Sequence, residues 1–252
     1  MSTPSPLPIL DSHDATPDTL PVSETFVSIQ GEGKLVGVPS WFLRTSGCNL
    51  RCTWCDTPYA SWKPEGTRRS VTDLLAEARV SNVRHAVLTG GEPMLFAALA
   101  PLTRGLHDAG VHVTIETAGT LAPAPLPHAD LWSISPKLAH STPRSDPRDP
   151  TGAWAARHEQ RRLNIAALQA LLDAPGETQL KFVVAGAGDL PEIDGVLAGL
   201  TGWASADILL MPEGVSPPTA AQRKAVADLC LARGFRYCHR LHIDLFGNTR
   251  GT

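Results

Sequence analysis

The chain lacks any run approaching the roughly 18 apolar residues of a membrane-spanning helix, and its N-terminus lacks the charged and apolar regions of a signal peptide. A cytoplasmic protein is the expectation. It also lacks a charge excess, since 22 Lys and Arg face 25 Asp and Glu for a net charge of -3. No electrostatic case for nucleic acid or an anionic membrane follows, and a small neutral or anionic ligand stays open. No internal repeat or low-complexity array is present. Cysteine is scarce, five in 252 residues. An odd number in a reducing compartment speaks to metal or catalytic chemistry before disulfides.

What is there is a globular composition with many turns: 42% hydrophobic residues, 21 glycines and 22 prolines. The last two make up about 17% of the chain against an average near 12%. Residues 1–22 carry prolines, Ser, Thr and Asp with no apolar period, so they are expected to form a disordered tail outside the fold. From Ser40 onward, short branched apolar runs alternate with stretches of helical spacing, which reads as parallel βα units. The predicted strands are Trp41–Thr45, His85–Thr89, Val111–Glu116, Leu131–Ser135, Gln179–Val184 and Asp207–Met211. Helices are predicted over Val71–Val80 after a Ser70 cap, Met94–Ala109 before Gly110, Thr151–Ala174 before Pro175, Leu190–Leu200, and Pro218–Arg233 before Gly234. Phe235–His239 is expected to add a peripheral strand.

Proline-rich links after Leu121 and Ser135 interrupt the helical coverage. A closed eight-unit barrel takes about 250 residues, which a chain with a tail and a long loop cannot supply. The expected fold is therefore α/β, an open, partial TIM-like barrel of about six parallel strands with incomplete helix coverage. Residues 23–252 form a single domain in this reading, with a cysteine-bearing loop at 46–58 and a C-terminal extension at 235–252.

Three of the five cysteines, Cys48, Cys52 and Cys55, stand in SGCNLRCTWCDT on a loop directly after the first predicted strand. Structural zinc takes four ligands, and the next cysteine is Cys230, so a closed zinc finger is disfavoured. An iron-sulfur cubane takes one thiolate per iron, so three leave one iron open to an external ligand. Buried structural thiols, or zinc completed by His85, His239 or His242, remain as alternatives. Trp54, immediately before the third cysteine, suits either a cover for a purine near the cluster or a hydrophobe that shields it.

The spacing C-x3-C-x2-C with an aromatic before the last cysteine resembles the signature of the radical S-adenosylmethionine superfamily. LTGGEP at Leu88–Pro93 is similar to that superfamily's glycine-rich motif at the end of the second strand. Glycines at 90 and 91 let backbone approach a ligand closely. Further segments, SIQGEG at Ser28–Gly33 and GVPSWFLRTSGCNLRCTWCDT up to Thr57, resemble one branch, the 7-carboxy-7-deazaguanine synthases of queuosine-precursor biosynthesis. The resemblance covers about residues 23–252.

The resemblance implies a 4Fe-4S cluster on Cys48, Cys52 and Cys55, S-adenosylmethionine, and Mg2+ held by Thr57. It places S-adenosylmethionine near Trp54, Cys55, Asp56, Gly91, Glu116, Ser135, Pro136 and Lys137. It places substrate near Ile29, Gln30, Gly31, Arg44, Thr89 and His242. Gln30 has the donors and acceptor for a pterin edge, and Arg44 can pair with a carboxylate. Asp56 has a second reading as a turn cap, and Arg44 as a surface charge at a strand end. IETAGT at Ile115–Thr120 has Ala118 where such turns more often carry Asn. His239 reads as a packing or hydrogen-bonding residue, and Cys230 and Cys238 as buried small hydrophobes.

The activity implied is radical-initiated ring contraction of 6-carboxy-5,6,7,8-tetrahydropterin with loss of ammonia, in a homodimer served by a flavodoxin or ferredoxin. Two competing readings are an activating enzyme that makes a glycyl radical on a partner protein, and a zinc-stabilised binding module without turnover.

Overall fold

The computed structural model describes residues 18–252. Nine strands build one sheet: β1 (Thr19–Ile29), β2 (Pro39–Thr45), β3 (Thr67–Ser70), β4 (His85–Gly90), β5 (His112–Thr117), β6 (Leu131–Ile134), β7 (Glu177–Val184), β8 (Ile208–Pro212) and β9 (Arg236–Tyr237). Seven helices accompany them: α1 (Val71–Val80), α2 (Leu99–Asp108), α3 (Ala153–Arg161), α4 (Ile165–Leu172), α5 (Leu190–Ala198), α6 (Ala220–Arg233) and α7 (Leu241–Phe246). The strand order is β3-β1-β2-β4-β5-β6-β7-β8-β9, and the end strands β3 and β9 do not meet. The barrel is open, as expected. All six predicted strands are present and consecutive in the sheet, parallel from β2 to β8.

The departures from expectation have local causes. The tail expected over residues 1–22 is shorter than proposed: residues 1–17 lie outside the described residues, whereas Thr19–Val22 belong to β1, which pairs antiparallel with β2 and β3. Pro21 and the polar residues of this stretch hide a strand that buries only Leu20 and Val22 fully. The helix predicted over Thr151–Ala174 is two helices, because the Asn164 side chain accepts from the Ala167 N–H at 3.1 Å and caps a new one. The helix predicted from Met94 begins at Leu99, since Glu92 caps a single turn at Met94 and Phe96 is extended. The peripheral strand predicted over Phe235–His239 is reduced to the two residues of β9.

Other signals act as their chemistry dictates. Ser70 accepts from the Asp73 N–H at 3.0 Å to open α1, and Gly234 closes α6 in the left-handed region at φ 68°. Side chains alternate across the strands. On β7 and β8, Leu180, Phe182, Val184, Ile208 and Leu210 join the core under the helices, while Val183, Leu209 and Met211 face the barrel interior with Cys238. Each fully buried large apolar side chain contributes roughly 1.5–3 kcal/mol. Lys181 lies on the same interior side as Val183 and is only 5% exposed, a charge that the core alone cannot tolerate. Cys230 and Cys238 are both buried, in keeping with the sequence reading.

Candidate active site

The C-terminal ends of β2, β4, β5 and β6 feed one cleft of about 470 Å³. The loop that leaves β2 forms one wall. Its backbone is locked to the turn after β4: the Gly91 N–H donates to the Thr45 carbonyl at 3.1 Å, and the Glu92 N–H to the Gly47 carbonyl at 2.9 Å. A Cβ on Gly91 would lie 2.0 Å from the Gly47 oxygen, and Gly90 sits at φ 135° with its Cβ position 2.4 Å from Thr45 N. These glycines therefore serve the packing of two strand-end turns, a need the sequence reading assigned to the ligand alone. Glu92 is wholly buried and accepts from Met94 N, Thr117 Oγ1 (2.8 Å) and Ala118 N (2.9 Å), tying the turn to the end of β5.

Cys48, Cys52 and Cys55 all line the cleft and are free thiols. Burial pushes the Cys48 thiol up to about 12, and the Cys52 thiol is raised further by burial. These two thiols lose their protons readily only to a cationic metal centre, and three cysteines on one loop match a cluster with one site left open. Cys55 Sγ lies 3.1 Å from Ser61 Oγ and 3.8 Å from Thr57 Oγ1.

The thiol wall is clamped from behind by groups that sequence reasoning missed. Arg51 donates to the carbonyls of Cys48 and Leu50 at 2.7 Å each, and its guanidinium stacks 3.9 Å from the Trp154 ring centroid. The Arg51 N–H donates to His158 Nδ1 at 3.1 Å, while His158 Nε2 meets Ser141 Oγ at 2.8 Å. Burial drops the His158 pKa to about 4, so the ring is neutral and can accept from Arg51. Trp62 Nε1 donates to the Cys52 carbonyl at 2.9 Å. The signal available was a His and a Trp on a helix otherwise of alanine, glutamine and charged residues, too common a pattern to single out.

Trp54 packs on the interior cluster of Val183, Leu209, Met211 and Cys238, with Lys137 Nζ 5.8 Å from its ring centroid. Its Nε1 is buried with no hydrogen-bond partner among the described residues. The packing fits the reading of Trp54 as a hydrophobe beside the thiols, and its ring stands in the cleft with an unspent donor. Lys137 Nζ donates to the Ser135 carbonyl (2.9 Å) and Oγ (2.8 Å).

The opposite wall is charged. Arg44 Nε donates to Glu24 Oε1 at 2.7 Å, and the same carboxylate accepts from Tyr59 OH (2.8 Å) and Arg250 Nε (3.2 Å). Arg44 lines the cleft with a side chain 17% exposed, so it is not a surface charge. Burial opposes ionisation of Glu24, and the bonds from Arg44 and Tyr59 outweigh it, holding the carboxyl below its ordinary value. Gln30 spends one N–H on Glu116 Oε1 (3.2 Å) and its carbonyl on the Glu32 N–H (3.2 Å), which leaves one N–H for a ligand. Glu32, absent from the expected site residues, is ion-paired to both Lys181 and Arg240 (3.0 Å). Burial raises its pKa, but the two cations prevail and hold it well below the carboxylate range. Burial works against the Lys181 ammonium, and Glu32 more than compensates, so its pKa is raised.

Arg240 also donates to Asp56 Oδ2 at 2.6 Å, so Asp56 is tied to the chain's C-terminal extension. Against Gly31 lies His242: a Cβ there would fall 2.0 Å from His242 Nδ1, and the Leu241 N–H donates to the Gly31 carbonyl at 2.9 Å. His239 pairs with Asp244 at 2.9 Å away from this contact. Gly247–Thr252 line the cleft as well, with Arg250 4.1 Å over the Tyr59 ring. Of the residues expected at the site, Ile29, Gln30, Gly31, Arg44, the three cysteines, Trp54, Asp56, Thr57, Thr89, Gly91, Glu116, Ser135, Lys137 and His242 all line the cleft. Pro136 does not.

Residues 42–166 match the family model described as the Radical SAM superfamily, a span holding the thiol loop and the turn after β4. The 7-carboxy-7-deazaguanine synthase of Rhodopirellula baltica is 50% identical over 241 residues, 94% of this chain and 91% of that protein. The chain belongs to the 7-carboxy-7-deazaguanine synthase family. The synthase of Halobacterium salinarum is 46% identical over 92% of this chain and 93% of its own. The crystal structure of QueE from Escherichia coli superposes with a TM-score of 0.66 at 27% identity, over 89% of this chain and 95% of that one. Membership makes this a radical S-adenosylmethionine enzyme with a 4Fe-4S cluster and S-adenosylmethionine as its cofactors. It displaces both the glycyl-radical activating enzyme and the zinc-stabilised binding module. Among the described residues, no helix is long and apolar enough to cross a membrane.

Proposed function

We propose that the chain converts 6-carboxy-5,6,7,8-tetrahydropterin to 7-carboxy-7-deazaguanine with loss of ammonia. The observation that carries this reading is the pairing, across one cleft, of three free thiols with a wall of Arg44, Gln30, Glu116 and His242. Cys48, Cys52 and Cys55 would hold the cluster, which with bound S-adenosylmethionine would supply the radical chemistry for hydrogen abstraction at C6 of the substrate. Trp54, Gly91, Glu116, Ser135 and Lys137 would surround that cofactor, with Asp56 beside it.

The protein's own residues bind and orient. Arg44, fixed by Glu24, presents its remaining guanidinium N–H groups to the substrate carboxylate. The free N–H of Gln30 and the carboxylate of Glu116 face the polar edge of the pterin, as donor and acceptor. Burial lowers the His242 pKa, so a neutral imidazole with one donor and one acceptor completes that edge. Thr89 closes the floor beside Ile29, and Gly31, with no Cβ, lets His242 pack against the backbone at the edge of the cleft. The Thr57 hydroxyl would hold Mg2+ beside the carboxylate, in a shell otherwise of water and substrate oxygens. The extension from Phe235 to Thr252 excludes water from above. One domain that begins with β1 and runs to residue 252, with its thiol loop at 46–58, a homodimer, a flavodoxin- or ferredoxin-type electron donor and a cytoplasmic setting complete the reading.

The test is anaerobic turnover with reductant, S-adenosylmethionine, Mg2+ and the tetrahydropterin, followed by mass analysis. The deazapurine acid is expected. Cleavage of S-adenosylmethionine without that product would refute the assignment of substrate. Thr57→Ala should weaken the Mg2+ dependence of the rate, and an unchanged response would remove Thr57 from the metal.

A further inference from the structure

At the opposite end of the strands from the cleft, two imidazoles and a carboxylate converge. His107 stands in the last turn of α2, His128 on the proline-rich link, and Asp130 immediately before β6. Their ligand atoms all lie within 4.8 Å of one another. The rings of His107 and His128 are 4.0 Å apart between centroids, and His128 Nε2 is 3.4 Å from Asp130 Oδ1. Donors at about 2.0–2.1 Å from a tetrahedral ion stand about 3.3 Å apart, so the His128–Asp130 pair already has that spacing.

Each donor is held by the fold. The second oxygen of Asp130 accepts from the Val113 N–H at 2.7 Å, which turns Oδ1 toward the imidazoles. The His128 N–H donates to Thr103 Oγ1 at 3.1 Å, anchoring the link to α2 one turn before His107. His107 is exposed, so its ring can rotate to close the third side and leave a fourth position to water. A supported carboxylate beside ligating histidines is how proteins orient such donors.

We infer that His107, His128 and Asp130 form a binding site for a divalent transition metal of the zinc class, independent of the cluster. Two nitrogens and one oxygen suit a borderline ion, and they disfavour Mg2+, which prefers oxygen ligands and water. The four-residue rise of β5 from Val113 to Thr117 sets the ion roughly 13 Å along the strands from the cleft. At that end of a barrel, bound metal acts on stability: it ties the end of α2 to the link that replaces a helix between β5 and β6. The neighbouring His85 is not a ligand, since its ring nitrogens are engaged by Ser40 (2.7 Å) and Thr114 (2.8 Å).

Because free thiols would also capture zinc, the experiment uses the cluster-loaded enzyme under anaerobic conditions. Zn2+ is titrated against a zinc-sensitive dye while cluster absorbance is followed, and the thermal midpoint is measured with and without the ion. One Zn2+ per chain with the cluster intact and a raised midpoint is expected. Replacing the exposed ligand, His107→Ala, should weaken binding by about 10-fold or more and abolish the rise. Asp130→Asn, which keeps an acceptor for Val113, should do the same, and Mg2+ should leave the midpoint unchanged. No Zn2+ bound by the loaded wild type, or equal affinity in His107→Ala, would overturn the site.

Discussion

The two walls of the cleft are built from different forces. The thiol wall is held by backbone hydrogen bonds, a stacked Arg51 and a neutral His158. The facing wall is held by ion pairs in which Glu24 and Glu32 are shared among Arg44, Arg250, Lys181 and Arg240. The difference follows from what each wall must carry. The thiol loop needs fixed geometry, which its backbone hydrogen bonds and neutral His158 provide, while the Arg51 guanidinium behind it favours the thiolate of Cys48. On the facing wall Glu32 keeps the buried Lys181 ammonium ionised, and the guanidiniums, charged in any case, are held in place by their carboxylates.

The comparison breaks most completely on the thiol side. Cys52→Ala should abolish cluster loading and reduce turnover to background, measured by iron content and product formation. On the charged side, Lys181→Met leaves Glu32 buried with one cation fewer, and a loss of about 3–5 kcal/mol is expected from chemical denaturation. A loss below 1 kcal/mol would mean that Arg240 alone suffices.

Gly91→Ala should cost about 1–3 kcal/mol and lower cluster occupancy, because its methyl group meets the Gly47 carbonyl rather than a flexible side chain. Acid should separate the walls. His158 and His85 have folded pKa values of about 4, each lowered by burial, while unfolded histidines titrate near 6.5. The unfolded state therefore takes up more protons between those values, and stability declines as pH falls from about 6.5 to 4. Glu32 has its pKa lowered, so its contribution is present above the unfolded carboxylate value and is lost only as pH falls through the depressed one. A flat denaturant midpoint across the histidine window would contradict the neutral clamp. The smallest effect belongs to Arg250→Ala, whose solvent-screened ion pairs should shift the denaturant midpoint little and should weaken further in salt.

The same contrast explains what the sequence made legible. The thiol loop and the turn after β4 are contiguous motifs, so their residues and their order along the strands could be read directly. The six parallel strands were legible because both faces are largely buried and their runs are rich in apolar and branched residues. β1 was not, since its Pro21, Ser23 and Glu24 resemble tail composition while its partners lie elsewhere in the chain. The charged wall was half legible: Arg44, Gln30 and His242 came from local resemblance, but Glu32, Lys181 and Arg240 meet across 149 and 208 residues. Only a lone Lys among the apolar residues of β7 hinted at them. The clamp was hidden for the same reason, since Trp154 and His158 meet Arg51 from the far side of the chain, the bond from the Arg51 N–H to His158 spanning 107 residues.

In the proposed function, the two walls hold cofactor and substrate against each other across one cleft. The direct measurement is isotope transfer, with the tetrahydropterin deuterated at C6 and the 5′-deoxyadenosine analysed by mass after anaerobic turnover. Deuterium should appear in the deoxyadenosine together with the deazapurine acid. Unlabelled deoxyadenosine formed at the same rate would contradict the account, because the substrate carbon would then not face the cofactor.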